Sequence, residues 1–278
     1  IAHELLHRSS WWEQLVARLL LGPVFYSHWF TDHKFGHHKL VSTLEDPSSA
    51  PREMSFYKFW PRTIFGTFRS AWSIEKSRLT RKGKTVISLQ NSIISGLLFE
   101  SAILAGFTTL FGLRGAVFLL LQAFVAITLL ELVNYVEHYG LERKIDYNVE
   151  GHPYEEVSFE HSWTAPQTAS SAFLFRLTRH TDHHMNAAKR YQVLEACQHA
   201  PQMPTGYPGM MLLALVPGWW FNVMNTSIHL YLGIHPATRD VIAGKALAAQ
   251  IRRKATNYSA LLACAVMAIS SSMLIASL

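Results

Sequence analysis

Residues 89–111 and 116–137 are two apolar runs separated only by Gly112-Leu113-Arg114-Gly115. Each is long enough to cross a bilayer as a helix, which takes about 20 residues. Lipid offers no partner to a bare peptide group, so both crossings have to be helical. A short glycine-bounded turn between them then predicts an antiparallel hairpin. Glu100 is the one charge of the first run, and an ionisable residue at that depth marks either function or a buried polar contact. Arg78, Arg81, Lys82 and Lys84 stand before the first run and place that side in the cytoplasm. The hairpin therefore predicts that His138 returns to the side that carries His3–His38.

Elsewhere the hydropathy is mixed. The chain has 278 residues, 49% apolar and only 16% charged, with a mean hydropathy of +0.11. That is too apolar for a routine soluble enzyme and too mixed for a plain bundle of spans. The predicted class is an all-α integral membrane helical bundle with a cytoplasmic, histidine-rich catalytic cap. Glu13, Arg18, Pro23 and His28 interrupt residues 11–30, which predicts an interfacial helix that ends near the proline. Phe56–Arg62 (FYKFWPR) is an aromatic and cationic patch of the kind found at membrane interfaces. Pro217-Gly218 breaks residues 210–224, so these are expected at the interface too. Residues 1–255 read as one catalytic domain, and the uncharged tail within 256–278 as a candidate third span. The chain opens on Ile1 with a metal motif already at His3, which reads as a piece lacking an N-terminal part.

The net charge of +6 suits anionic lipid or an acidic protein partner. No glycine-rich phosphate loop or basic-aromatic motif accompanies it, which argues against nucleic acid. Cys197 and Cys264 are the only cysteines and form no CxxC. A disulfide framework, a zinc ribbon and an iron–sulfur cluster are therefore excluded.

The chemistry is carried by histidine. Arg179-His180-Thr181-Asp182-His183-His184 puts three imidazoles at i, i+3 and i+4, on one face of a helix. His3-Glu4-Leu5-Leu6-His7 puts two more one turn apart, and Asp32–His38 (DHKFGHH) adds His33, His37 and His38. Adjacent His37 and His38 cannot share the i, i+4 stripe of a regular helix, but each can serve a different metal. His138 emerges from the end of the second apolar run beside Glu137. The first motif alone is also that of zinc hydrolases, with Glu4 as base. Nine histidines are too many for one metal, because zinc takes three or four protein ligands. They suit two metals with four or five ligands each. Glu4, Asp32, Glu137 and Asp182 lie beside the clusters and are candidates to take the proton of a ligand's metal-remote ring nitrogen. His161 is a candidate lining residue. His28, His199, His229 and His235 read as structural, and His152 as a loop residue.

Together HELLH, DHKFGHH and RHTDHH, with the hairpin between the second and third, resemble the histidine boxes of the membrane di-iron oxygenases and desaturases. Asn134–Leu141 (NYVEHYGL), His161-Ser162-Trp163, Glu45-Asp46-Pro47, FWPR at Phe59–Arg62, Arg69-Ser70-Ala71-Trp72 and Pro204–Met210 (PTGYPGM) resemble the membrane alkane 1-monooxygenases in particular. The resemblance covers about residues 1–225. Asp32 stands where that family has glutamate, and Leu177-Thr178 where it has leucine-glutamine. The resemblance implies two non-haem iron ions, molecular oxygen as co-substrate, and hydroxylation of the terminal methyl of n-alkanes to primary alcohols. It also implies electrons from a separate rubredoxin served by an NAD(P)H-dependent reductase, and a multi-pass place in the bacterial inner membrane with the site on the cytoplasmic face. The basic balance adds an expected docking face for an acidic donor. Rival readings are a fatty-acyl desaturase, a xylene-type hydroxylase or a carotenoid oxygenase, and, from another class, a non-catalytic membrane metal-binding protein.

Overall fold

A computed structural model describes residues 1–145, 154–165, 167–233 and 241–276, with backbone alone at 241, 242, 269 and 271–276. His152 and His235 lie outside the described residues. The helices are α1 (Ala2–Leu6), α2 (Trp11–Leu21), α3 (Trp29–Asp32), α4 (His38–Leu40), α5 (Phe56–Arg81), α6 (Ser92–His138), α7 (Thr168–Phe173), α8 (His180–Met185), α9 (Tyr207–Ala214), α10 (Pro217–Tyr231) and α11 (Val241–Ala276). One π turn, His33–His37, joins α3 to α4. Two isolated bridges are the only β pairing among the described residues, as an all-α class requires.

Two compact units emerge. The first comprises Ile1–Ser49, Tyr57–Asn134 and Asn186–Arg190, and the second Ala50–Phe56, Tyr135–Met185 and Tyr191–Leu278.

In the first unit the hairpin is recorded in α6 itself. Gly112 breaks its helical path at φ 64°, ψ −162°, a region open essentially to glycine alone. A straight helix would hold Glu100 and Glu131 about 46 Å apart. Instead Glu100 Oε1 accepts from the Ser27 amide at 2.8 Å, and Glu131 Oε1 accepts from the hydroxyl of neighbouring Tyr26 at 2.8 Å. The chain therefore doubles back at Gly112. Glu100 has the polar contact that burial of its carboxylate demands. The most apolar stretch of α6 reaches a mean hydropathy of 2.4 and only 28% of it is buried. Leu110, Phe111, Leu113, Phe118 and Leu121 are all exposed, a display that suits lipid rather than water.

The sequence expects α2 to be interfacial, and it is amphipathic in that sense. Ala17 and Leu21 enter a core with Leu6, Tyr26, Trp29 and Phe30, while Trp11, Trp12, Leu15, Leu19 and Leu20 face outward. Arg18 stacks its guanidinium 3.8 Å over the Phe30 ring, which hides its charge from that outer face. Helix α5 packs on both arms of the hairpin. Trp60 donates to Thr128 at 3.2 Å, Thr63 to Glu131 at 2.8 Å, and the Ser92 amide to Glu75 at 2.8 Å.

In the second unit the last turn of α6 is fixed by the buried Trp163. Its backbone amide donates to Glu137 O at 2.8 Å and its indole to Tyr139 O at 2.9 Å. Tyr139 donates to Asn225 of α10 at 2.9 Å, and Ser259 of α11 to Gly209 O of α9 at 2.8 Å. The backbone of α11 runs on without a break through residues 255 and 256.

Candidate metal centre

The first unit gathers four imidazoles. In α1 the i, i+4 spacing brings His3 and His7 together edge to face, with ring centroids 5.1 Å apart. The second cluster uses different geometry. The His38 amide donates to His33 O, a bond five residues long that widens the turn. That aligns His33 with His38 rather than with His37, and their Nε2 atoms lie 3.1 Å apart. The ligand nitrogens of His3, His7, His33 and His38 all fall within 4.8 Å of one another. A π turn is a rare insertion that recurs at functional sites; here it separates His38 from His37.

Two contacts fix the rings. Trp29 stacks on His33 at 4.2 Å. His37 Nδ1 donates to Asp46 Oδ2 at 2.9 Å, which leaves Nε2 as its ligand atom. Asp46 is itself held by the Ser49 hydroxyl at 2.6 Å and the Ser48 amide at 3.1 Å. Burial first, and then neighbouring imidazoles, keep His3 and His33 well below the ordinary histidine pKa, so both are neutral with lone pairs available. For His37 burial works downward, but the facing Asp46 outweighs it and the pKa is raised. Burial lifts Asp32 to about 8 against a hydrogen bond from Ser70, so that acid is mostly protonated at neutral pH.

The second unit gathers His138, His180 and His184, whose ligand nitrogens also lie within 4.8 Å of one another. Here α8 is a regular helix, so i, i+4 pairs His180 with His184, and the His183 ring lies parallel to His180 at 5.8 Å. His180 Nε2 is 3.1 Å from His138 Nε2, 2.9 Å from His184 Nε2 and 3.2 Å from Glu137 Oε2. A single ring nitrogen has one proton or one lone pair and cannot satisfy three such partners. A cation at their meeting point satisfies all of them, so the donor set fits a metal. The other Glu137 oxygen accepts from the Tyr207 hydroxyl at 2.7 Å.

The four carboxylates named from the sequence have different partners. Glu137 meets His180 on the ring nitrogen that faces the other imidazoles, not on the remote one. Asp32 is buried beside Ser70. Glu4 pairs with Arg8 at 2.5 Å, and Asp182 accepts from the Glu195 amide at 2.7 Å. His161 is buried, bonded to Glu155 at 3.1 Å and to the Ser158 amide at 2.9 Å. His28 sits between Tyr26 and Phe68, with burial pulling its pKa to about 4. His199 is exposed and His229 half-buried. Neither Asp46 nor Trp29 is a metal-ligand residue type in a histidine cluster, so spacing assigns neither a role. The only advance signal for Asp46 was the EDP motif.

Comparison with known proteins gives these groups a context. The fatty acid desaturase family matches residues 1–214. Alkane 1-monooxygenase 1 of Pseudomonas aeruginosa is 45% identical over 231 residues, 83% of this chain and 60% of that protein. Alkane 1-monooxygenase of Acinetobacter baylyi is 39% identical over 82% of this chain and 55% of its own length. The hydroxylase component of xylene/toluene monooxygenase from Pseudomonas putida is 28% identical over 81% of this chain and 58% of its own. The chain thus spans between half and two thirds of the length of these relatives.

Proposed function

Because the chain belongs to the fatty acid desaturase family, we propose that it is the histidine-bearing part of a membrane monooxygenase that hydroxylates the terminal methyl of n-alkanes. The metal ligands in this reading are His3, His7, His33, His37, His38, His138, His180, His183 and His184, holding two iron ions. Glu137 is aimed at the same space as its neighbouring imidazoles. The observation that carries the proposal is the convergence of imidazole nitrogens within each unit, a ligand type that suits iron, zinc, copper and nickel. The alkane relatives, at higher identity than the xylene relative, favour an alkane substrate.

An unactivated C–H bond has no acidic proton for a base to remove, so the oxidising power has to come from redox-active iron with molecular oxygen. This chain's residues prepare that chemistry. Burial and neighbouring imidazoles keep His3 and His33 unprotonated, Asp46 sets the His37 tautomer, Trp29 locks the His33 ring, and Tyr207 holds Glu137. The exposed apolar surface of α6 suits a route for a substrate dissolved in the bilayer, and we place the histidines on its cytoplasmic face. Rubredoxin is the proposed electron donor.

The test is metal analysis with Mössbauer spectroscopy on iron-57-enriched protein, followed by octane turnover. Two nitrogen-ligated irons per chain with octanol formation are expected; a single zinc would return the HELLH motif to hydrolase chemistry. His180→Ala should remove iron and activity together. An iron-replete and fully active variant would refute the assignment of that ligand.

A further inference from the structure

The exposed side of α5 has no role in holding the metal site. Lys58, Arg62, Phe65, Arg69 and Lys76 recur along it at spacings of 4, 3, 4 and 7, which places all five within about 60° of one another around the helix. Lys58, Phe65, Arg69 and Lys76 are exposed, Phe65 at 65%, and Arg62 is half-buried. The stripe runs for about 27 Å. The opposite side of α5 is the one that packs on the hairpin, through Trp60, Thr63 and Glu75. The cations therefore point away from the hairpin, and Lys58 and Arg62, part of the patch expected at the membrane interface, are assigned instead to a water-borne partner.

Midway along the stripe is a groove of about 480 Å³ lined by Leu44, Glu45, Pro47, Arg62, Phe65 and Arg69. Leu44, at 68% exposure, and Phe65 give it two apolar contacts, and Glu45 is its one carboxylate. Its inner wall leads to the histidines. The Arg62 guanidinium donates to Ser49 O at 2.7 Å and to Asp46 O at 3.1 Å. The Asp46 carboxylate is in turn bonded to His37 Nδ1 at 2.9 Å. A partner seated in the groove is thus linked to a candidate iron ligand through Arg62 and a single residue, Asp46.

We propose that this stripe and groove form the docking surface for a small acidic one-electron carrier protein, with entry to the metal centre by way of Asp46 and His37. The inference rests on the monooxygenase reading, in which RH + O2 + 2e⁻ + 2H⁺ gives ROH + H2O. Each docking event oxidises one reduced carrier by one electron, so two are consumed per alcohol. A ring of cations around two apolar contacts steers such a partner by charge and seats it by packing.

The experiment uses the iron-loaded protein in neutral-lipid nanodiscs, with rubredoxin as the probe. Binding of oxidised rubredoxin is measured for the parent, for Arg69→Glu combined with Lys76→Glu, and for Phe65→Ala. The charge reversal should raise Kd by about tenfold or more and flatten its salt dependence. Phe65→Ala should weaken binding at every salt concentration. Octanol formed with dithionite as reductant should be equal in all three proteins. Unchanged Kd values, or no binding to the parent, would overturn the docking surface. So would loss of binding to anionic vesicles with rubredoxin binding intact, which would assign the stripe to lipid. Failure of the parent to form octanol with dithionite would instead sink the monooxygenase reading, leaving the binding result to stand separately.

Discussion

Asp46 lies nine positions beyond His37, on a loop, and decides which nitrogen of that ring can serve a metal. Partners of this kind typically change metal affinity by about 10–100-fold when lost. Asp46→Ala should show a loss in that range in a chelator competition, and Asp46→Asn, which keeps an acceptor oxygen, a smaller one. Parental affinity in the alanine variant would mean that the contact does not position His37. Tyr207→Phe removes the hydroxyl that Glu137 accepts and leaves a buried carboxylate less satisfied, which costs about 1–3 kcal/mol. A lower thermal midpoint in detergent is the readout. Glu75 supplies a pH prediction. Burial pushes its carboxyl up, but hydrogen bonds from Arg78 and Ser92 outweigh it and hold the folded pKa below 4.5. The stability this contributes is therefore full above about pH 4.5 and disappears as pH falls through the folded value. Glu75→Gln should be less stable than the parent at pH 7, and the two acid-unfolding curves should converge at low pH. Curves that run parallel across that window would exclude the linkage.

At the scale of elements, the turn between α3 and α4 is where local sequence rules were weakest. Periodicity singles out His33, His37 and His38 as candidate ligands because their spacing is local. It also shows that His37 and His38 cannot face the same way. It does not show that a bond from His38 back to His33 widens the turn, because that choice depends on contacts from other elements. Gly36 illustrates one of them. A methyl group there would lie 2.9 Å from both Asp32 Oδ1 and Ser70 Oγ of α5. Gly36→Ala should accordingly destabilise the first unit by about 1–3 kcal/mol through overpacking and lower the iron content. Full iron loading in that variant would show that the turn tolerates the displacement. The hairpin was legible for a simpler reason: two long apolar runs with glycines between them have few ways to satisfy their backbone. The partners of Glu100 were not legible, since Ser27 lies 73 residues away in sequence.

On the scale of the whole molecule, five of the proposed ligands belong to the first unit and four to the second. Neither set matches the nine-histidine ligand count on its own. The hairpin connects them, since α6 begins in the first unit and ends, at His138, in the second. This gives the two carboxylates of the hairpin a further significance. A bare acidic side chain deep in a bilayer costs on the order of 2.5–3.5 kcal/mol. Glu100 accepts from Ser27 and Glu131 from the adjacent Tyr26, while Thr63 and Asn134 donate to the other Glu131 oxygen. The first arm of the hairpin thus has its carboxylate met by residue 27, and the second takes one of its contacts from residue 26. A chain in which residues 26 and 27 have not docked would therefore carry this hairpin with Glu100 lacking the amide that satisfies it.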